Sequence, residues 1–219
     1  MDKILNFILI GRSGSGKGTQ AELLKERFGN LHHFCTGDMF RALAKADTAV
    51  GAKIRKVISE GGLPLDDIAT TLWMHAISFN LKESEGLLAD GFPRRLPEAK
   101  NLDRFLEFLD RKENTFPILI DISREEAFGR LTKRRICKKC GKLIPWVGEF
   151  KELKVCPDCG GELVTRPDDN EEAINNRLDF YEKNVVPVVE YYKEQGRLLE
   201  INGDQPIEKV FEDLLASLK

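Results

Sequence analysis

The sequence lacks a dominant charge of either sign. Lys and Arg total 34, Asp and Glu total 36, and the formal net charge is −2. No global basic field therefore points to a nucleic-acid or membrane partner. No apolar stretch approaches the length of a membrane span. Internal repeats, low-complexity tracts and Gly/Ser linkers are missing too. The apolar N-terminal run Ile4-Leu5-Asn6-Phe7-Ile8-Leu9-Ile10 has neither a basic leader nor a small-residue cleavage site, and it enters a glycine-rich motif directly. It reads as a buried strand and not as a signal peptide. The expectation is a cytoplasmic protein. Only three histidines are present, and His32, His33 and His75 suggest packing or surface roles.

Cysteine usage argues against a secreted disulfide framework. There are five, an odd number, and four of them crowd into residues 137–159. Such clustering suits a metal site in a reducing compartment. Cys35 stands alone and reads as a small buried residue at a strand end.

What the sequence does have is length, 219 residues and 42% hydrophobic content, enough for one sizeable core. Strand patterns fall at 5–10, 31–35, 87–91, 117–122 and 198–201. Helical patterns fall at 18–28, 68–81, 97–112, 124–134, 170–194 and 206–218. Their alternation predicts an α/β fold, a parallel sheet with helices on both faces. Residues 36–65 carry only helical signals between two strands, which predicts a projecting helical flap. Residues 135–168 change composition sharply, with short β-type stretches at 143–144 and 162–164, and read as a small inserted module. The division is a core of 1–35, 66–133 and 169–219, a flap of 36–65 and a lid of 134–168.

Gly11-Arg12-Ser13-Gly14-Ser15-Gly16-Lys17-Gly18-Thr19 follows the first strand and opens the first helix. In that context the glycines let backbone N–H groups surround phosphate oxygens. The helix N-terminus adds its positive end, and Lys17 reaches the β- and γ-phosphates. The strict P-loop pattern has Ser or Thr directly after the lysine; here Gly18 intervenes before Thr19. The competing interpretation is an ordinary glycine-rich turn. Alone, the loop implies a nucleoside triphosphate and nothing finer.

Cys137-Lys138-Lys139-Cys140-Gly141 and Cys156-Pro157-Asp158-Cys159-Gly160 form two Cys-x-x-Cys-Gly knuckles, with fifteen residues between Cys140 and Cys156. Two such knuckles aim four thiolates at one point, the pattern of a closed structural zinc ribbon. Two disulfides, or iron in place of zinc, are the alternatives. A segment this short and polar cannot bury a core of its own, so a metal would stand in for one.

Four ordered motifs resemble the adenylate kinase family: Gly16-Lys17-Gly18-Thr19-Gln20-Ala21, Thr36-Gly37-Asp38-Met39-Phe40-Arg41, Asp90-Gly91-Phe92-Pro93-Arg94, and Thr165-Arg166-Pro167-Asp168-Asp169 followed by Arg177. The resemblance runs from Phe7 to about Pro206. It implies a five-stranded P-loop core with a monophosphate-binding flap and a lid. It also implies reversible transfer from Mg·ATP to AMP, giving two ADP, by a protein that is a monomer. Some members with an extended lid carry a four-cysteine cluster, which matches the ribbon here.

The resemblance further implies that Lys17 contacts the transferring phosphoryl group, with Gly14, Ser15, Gly16, Gly18 and Thr19 around the ATP phosphates. Arg41 and Arg94 clamp the monophosphate. Arg130 and Gln205 lie against ATP, and Arg134, Arg166 and Arg177 bracket the migrating group. Thr36, Leu63, Gly91 and Glu98 contact AMP, together with Arg166 and Arg177. Asp90, with Asp38 as a second candidate, holds magnesium through waters, and Asp168 and Asp169 orient the lid arginines. Arginine suits these places because its planar fork binds phosphate bidentately. Taken singly, each arginine has the ordinary alternative of a solvated helix face.

One position departs from the family pattern. Glu98 stands where the pattern has a glutamine that reads adenine. An ionised carboxylate only accepts hydrogen bonds, so it opposes the adenine N1 lone pair and suits the N–H donors of guanine. A relaxed or guanine-shifted preference is therefore the first alternative. The other outcome is that Glu98 swings to solvent or pairs with Arg95 or Lys100. A function of a different class, a zinc-ribbon P-loop protein that binds nucleic acid, rests on the basic residues Lys133, Arg134, Arg135, Lys138 and Lys139. The balanced charge opposes it, and the ribbon has few aromatics beyond Trp146 and Phe150.

Overall fold

The computed structural model describes residues 4–60, 62, 64–166 and 169–218. The apolar run after the N-terminus is a fully buried strand, Asn6–Ile10 (β1). It leads through the glycine loop into Lys17–Phe28 (α1) and then Leu31–Cys35 (β2). Gly86–Asp90 (β3), Thr115–Asp121 (β4) and Leu199–Asn202 (β8) complete a five-stranded sheet in the order β2-β3-β1-β4-β8, with every pair parallel. This is the expected P-loop α/β architecture.

Alternation along the central strands splits the core in two. Ile8, Ile10, Leu87, Ala89 and Leu119 face Asp66–Asn80 (α4), Leu96–Phe108 (α5) and Val186–Glu194 (α8). Phe7, Leu9, Leu88, Ile118 and Ile120 face α1 and Ile207–Ser217 (α9). Parallel strands covered on both faces must be apolar on both, which is why β1 reads as an unbroken run. A third cluster of Ile122, Ala127, Leu131, Ile174 and Leu178 joins Arg124–Lys133 (α6) to Glu171–Phe180 (α7). It fixes both stems of the inserted module. Ser123 and Asn170 cap those helices, their side chains accepting from the backbone N–H groups of Glu126 and Ala173.

Within the expected flap, Thr36–Lys45 (α2) and Ala49–Ser59 (α3) are helices. The inserted module is a three-stranded antiparallel sheet of Arg135–Cys137 (β5), Leu143–Ile144 (β6) and Leu163–Thr165 (β7), with β5 in the middle. The sequence pattern suggested the two outer strands and not β5.

Two helices differ from the periodic reading. The one expected at 97–112 stops at Phe108; Asp110 turns back at φ 55 and a 3-10 turn follows at Lys112–Asn114. The single helix expected at 170–194 is interrupted by a π-type turn, Tyr181–Val185. Pro187 has no N–H to give the Lys183 carbonyl, and a wider turn accommodates the loss.

Candidate functional site

The carboxyl ends of β1, β2 and β3 lie side by side, with Leu9 and Cys35 both in register with Asp90. Ligands of open α/β sheets bind at such ends. The loop after β1 fits tightly there. Gly11 has φ 148, and a Cβ on it would sit 2.4 Å from the Ile120 carbonyl oxygen, so no side chain is tolerated. Lys17 curls into the loop and donates to the carbonyls of Gly11 (2.8 Å) and Arg12 (2.7 Å). Burial lowers its pKa to about 8, against the pull of Asp90. Gly18 opens toward Asp90, whose Oδ2 would lie 3.9 Å from a Cβ there.

Asp90 is buried. Burial opposes its charge, but His33, 3.8 Å away, with Lys17 and Arg94 outweighs that and holds the carboxyl below its ordinary range. Arg94 is half-buried, and burial lowers its pKa. Its Nε donates to the Gly91 carbonyl at 2.6 Å, and the Thr36 hydroxyl donates to the same oxygen at 2.7 Å. Gly91 has φ 80, and a Cβ on it would press to 3.0 Å on both the Arg94 guanidinium and the Thr36 hydroxyl. One cleft is lined by Gly11, Ser13, Lys17, Gly91, Arg94 and Arg177. Lys17, Arg94 and the glycine loop thus share one cleft, and the Asp90 carboxylate lies beside Lys17 and Arg94.

Around this cleft, Asp169 accepts from Arg134 twice and from Arg177 once. Burial lowers the Arg134 pKa to about 10 despite Asp169. Arg130 donates to Glu126 (2.6 Å) and to the Gly203 carbonyl (3.1 Å), near Gln205, which donates to Asn202 and Asp213. Arg41 and Asp38 hold each other at 2.5 Å on α2 and are largely exposed, 43% and 72%. The Asp38 carboxylate is therefore engaged by Arg41. Ser15 is buried, Gly14, Gly16 and Thr19 are partly so, and Arg166 follows β7. Leu63 and Asp168 lie outside the described residues.

Glu98 neither reaches solvent nor pairs with Arg95. It is 4% exposed; Trp73 Nε1 donates to its Oε1 at 3.1 Å and the Arg94 backbone N–H to its Oε2 at 2.6 Å. Burial raises its pKa, opposed by those bonds and by the Arg94 charge. Arg95 pairs with Asp66 and lies over the Phe180 ring.

Some residues at the site carried no signal in the sequence. Arg12 donates to Asp121 and Glu182, both at 2.8 Å, and so ties the phosphate loop to the end of β4 and to the π-type turn. His33 and Cys35 sit on β2 near Asp90. The alternation of strand residues puts positions 33 and 35 on one face, which was the available clue. Cys35 is at the strand end as expected but only half-buried, and burial pushes its thiol up to about 11. His32 stacks on Phe34 and His75 packs against Phe79.

The four lid cysteines gather as the knuckles require, with one Sγ from each within 4.8 Å of the others. Two pairs approach closely, Cys137 with Cys159 at 3.5 Å and Cys140 with Cys156 at 3.6 Å, and all four are free thiols. The Cys140 backbone N–H pulls the Cys137 thiol down, whereas at Cys140 the Lys142 backbone bond is outweighed by the sulfur neighbours Cys159 and Cys137, which raise the thiol. A Cβ on Gly161 would lie 2.8 Å from Cys137 Sγ, so the cradle closes on the sulfurs. This donor set fits a tetrahedral metal ion. Trp146 is flanked by the chain's own cations, Arg135 at 5.3 Å and Lys133 at 6.0 Å. That ring is less available to stack on a base.

Fold and site together define a P-loop phosphotransferase with an arginine-lined cleft and a cysteine-rich lid. The adenylate kinase family model matches residues 9–197. Proteins named adenylate kinase are similar along nearly their whole length. One from Methanocella arvoryzae is 39% identical over 216 residues, covering 98% of this chain and 99% of the relative. One from Desulforudis audaxviator is 41% identical over 219 residues, with 98% and 99% covered. One from Bacillus mycoides is 40% identical over 215 residues, with 96% of each covered. The chain belongs to the adenylate kinase family and is a nucleoside monophosphate kinase of the ATP:AMP type.

Proposed function

We propose that the cleft at the ends of β1 and β3 carries reversible phosphoryl transfer between Mg·ATP and AMP with the following division of labour. An α-phosphate oxygen of AMP attacks the γ-phosphorus of ATP, the bond from that phosphorus to the β–γ bridging oxygen breaks, and two ADP leave. The nucleophile is already anionic near neutral pH, so no general base is needed. The protein's task is charge neutralisation, alignment and exclusion of water.

Lys17 and the loop N–H groups of 14–19 hold the β- and γ-phosphates. Arg94, with Arg41, holds the monophosphate. Arg134, Arg166 and Arg177 meet the migrating group, and Asp169 orients Arg134 and Arg177. Arg130 and Gln205 flank the ATP. Thr36, Gly91 and Glu98 belong to the AMP side. Magnesium, bound with ATP, supplies further neutralisation of the phosphates, and Asp90 is the carboxylate suited to hold its waters. The observation that carries this reading is the convergence of Lys17, Arg94 and Arg177 on one cleft beside Asp90.

The segments 36–65 and 134–168 act as a flap and a lid that close over the substrates; adenylate kinases are a well-known example of such closure. Zinc is the ion proposed for Cys137, Cys140, Cys156 and Cys159, in a structural role. A cytoplasmic monomer completes the proposal. Free thiols suit a reducing compartment, and among the described residues no helix is long and apolar enough to cross a membrane. Mixing the protein with Mg·ATP and AMP should yield ADP; none from folded, metal-loaded protein would overturn the reading. A bisubstrate mimic should slow amide exchange in both segments, and unchanged exchange in either removes that segment from the closure. Retention on nucleic acid at moderate salt without kinase activity would favour the nucleic-acid alternative.

A further inference from the structure

A second slot opens beside the phosphate cleft, walled by Thr36, Phe40, Pro64, Ala69, Arg95 and Glu98. Its walls set the apolar side chains of Phe40, Pro64, Ala69 and Phe180 beside the polar groups of Thr36, Asp66, Arg94, Arg95 and Glu98. Glu98 is the notable one: a carboxyl group that is 4% exposed and still lines a cavity. A buried carboxyl without anchors would rotate to the most favourable partner. This one is anchored twice, through Trp73 Nε1–H on Oε1 and the Arg94 N–H on Oε2. Trp73 is itself fully buried and packs on Phe92 and Phe105. The Glu98 oxygens are therefore fixed, and their remaining lone pairs can only accept. The Thr36 hydroxyl proton already goes to the Gly91 carbonyl, so Thr36 also presents an acceptor. The side-chain donors on the slot wall are Arg94, whose Nε is spent on the Gly91 carbonyl, and Arg95, held by Asp66 and Phe180.

We propose that Glu98, positioned by Trp73, reads the base of the monophosphate and selects for an edge of N–H donors, so that this kinase phosphorylates GMP alongside AMP. The inference rests on the phosphotransfer reading and on the slot being its monophosphate side. Guanine presents N1–H and N2–H₂ together, which one carboxylate can accept as a pair, and its O6 suits the Arg95 donors. Adenine offers Glu98 a single donor group, N6–H₂, and brings the N1 lone pair against a carboxylate oxygen. A mismatched polar contact in a buried site shifts specificity by about ten- to a hundredfold. Trp73 is a positioning residue in this scheme, because it acts through Glu98.

The test is kcat/KM for AMP, GMP and IMP with Mg·ATP, in the wild type and in Glu98→Gln and Trp73→Phe. The wild type should phosphorylate GMP with kcat/KM within about a hundredfold of AMP, and IMP, which lacks the N2 donors, less well than GMP. Glu98→Gln should raise the AMP:GMP ratio about tenfold or more, since a carboxamide can donate to adenine N1. Trp73→Phe keeps a ring but loses the N–H, and should move the ratio the same way. The change should appear in the KM of the monophosphate and leave the KM of ATP in place, a split that general loss of packing would not give. A wild type that turns over AMP but not GMP overturns this inference alone. So does an unchanged ratio in folded Glu98→Gln. If either variant fails to fold, GMP turnover by the wild type decides. Failure with every monophosphate would instead overturn the phosphotransfer reading beneath it.

Discussion

Arg134 closes a two-pronged fork on Asp169, with Nε 2.8 Å from Oδ2 and a terminal guanidinium nitrogen 2.7 Å from Oδ1. The same Oδ1 accepts from Arg177 at 2.7 Å, and the Asp169 side chain is 0% exposed. One carboxylate thus ties the residue entering the lid to a residue on the helix leaving it. Asp169→Asn keeps the shape and removes the charge. The two guanidinium groups, 12% and 13% exposed, then share an amide with a single acceptor, and losing such a charge-assisted contact costs about 1–3 kcal/mol. Denaturant unfolding should show a loss of that order, and kcat should fall because both arginines lose their alignment. A variant with wild-type stability and kcat would show that the fork does neither job.

In the proposed mechanism Lys17 meets the transferring phosphoryl group, and burial lowers the pKa of its ammonium. Lys17→Ala should leave the fold intact, as judged by circular dichroism, and cut kcat by roughly 10²-fold or more, since developing charge loses its counter-ion. Retention of kcat within about threefold of wild type would remove Lys17 from the mechanism.

The same residue sets a pH dependence. Its pKa in the folded protein is about 8, below the ordinary 10.5. The ammonium is therefore lost as pH rises through about 8, and kcat/KM for ATP, which reports on the free enzyme, should decline above that point. Bound phosphates favour the charged form, so kcat should hold to higher pH. Stability runs the other way. Between the two values the unfolded chain holds the proton that the folded chain has released, so the Lys17 contribution to stability rises with pH over that interval. A flat kcat/KM profile for ATP well past pH 8, with initial rates measured in excess magnesium, would contradict the weakened ammonium.

Arg94 is fixed on the other side of the cleft by its own bond to the Gly91 carbonyl. Arg94→Ala should raise the KM of the monophosphate and lower its kcat/KM by about tenfold or more, with the KM of ATP little changed. Steady-state kinetics with each substrate varied in turn separates the two. Unaltered monophosphate kinetics would show that Arg94 faces the cleft without binding the phosphate.

The parts of the fold that could be read from sequence are those with a strong local pattern. The run at β1 is apolar on both faces because the sheet is covered on both, and the glycines and lysine that follow it, between a strand and a helix, favoured a phosphate loop over an ordinary glycine-rich turn. Where pairing over distance decides, the pattern is silent. Arg135-Ile136-Cys137 is a strand because β6 and β7 flank it, not because three residues can announce one. Glu98 shows the same limit at the site. Its departure from the family pattern was visible, but its fate depended on Trp73, 25 residues earlier on another helix, and nothing local links the two. Arg12 was hidden similarly, since its partners Asp121 and Glu182 are more than a hundred residues away.

A dependence of the lid on metal is expected from what its interior contains. Cys137, Ile144 and Cys156 are its buried apolar residues among those described, so the sulfur cluster supplies much of the core. Binding free energy at such a site is folding free energy for the module. Four thiolates without an ion would repel one another, so they would protonate and the knuckles would lose their common focus. Stripping the metal with a chelator under reducing conditions should therefore lower the Tm and release amide protection across 135–165. Exchange in β1, β3 and β4 should stay slow, because their packing in the two large clusters does not involve the lid. Metal analysis of freshly purified, reduced protein should find about one ion per chain, zinc by the proposal, with readdition restoring the Tm. A content well under one ion per chain, in protein whose lid amides are already protected, would show that the cysteines hold the module without a metal.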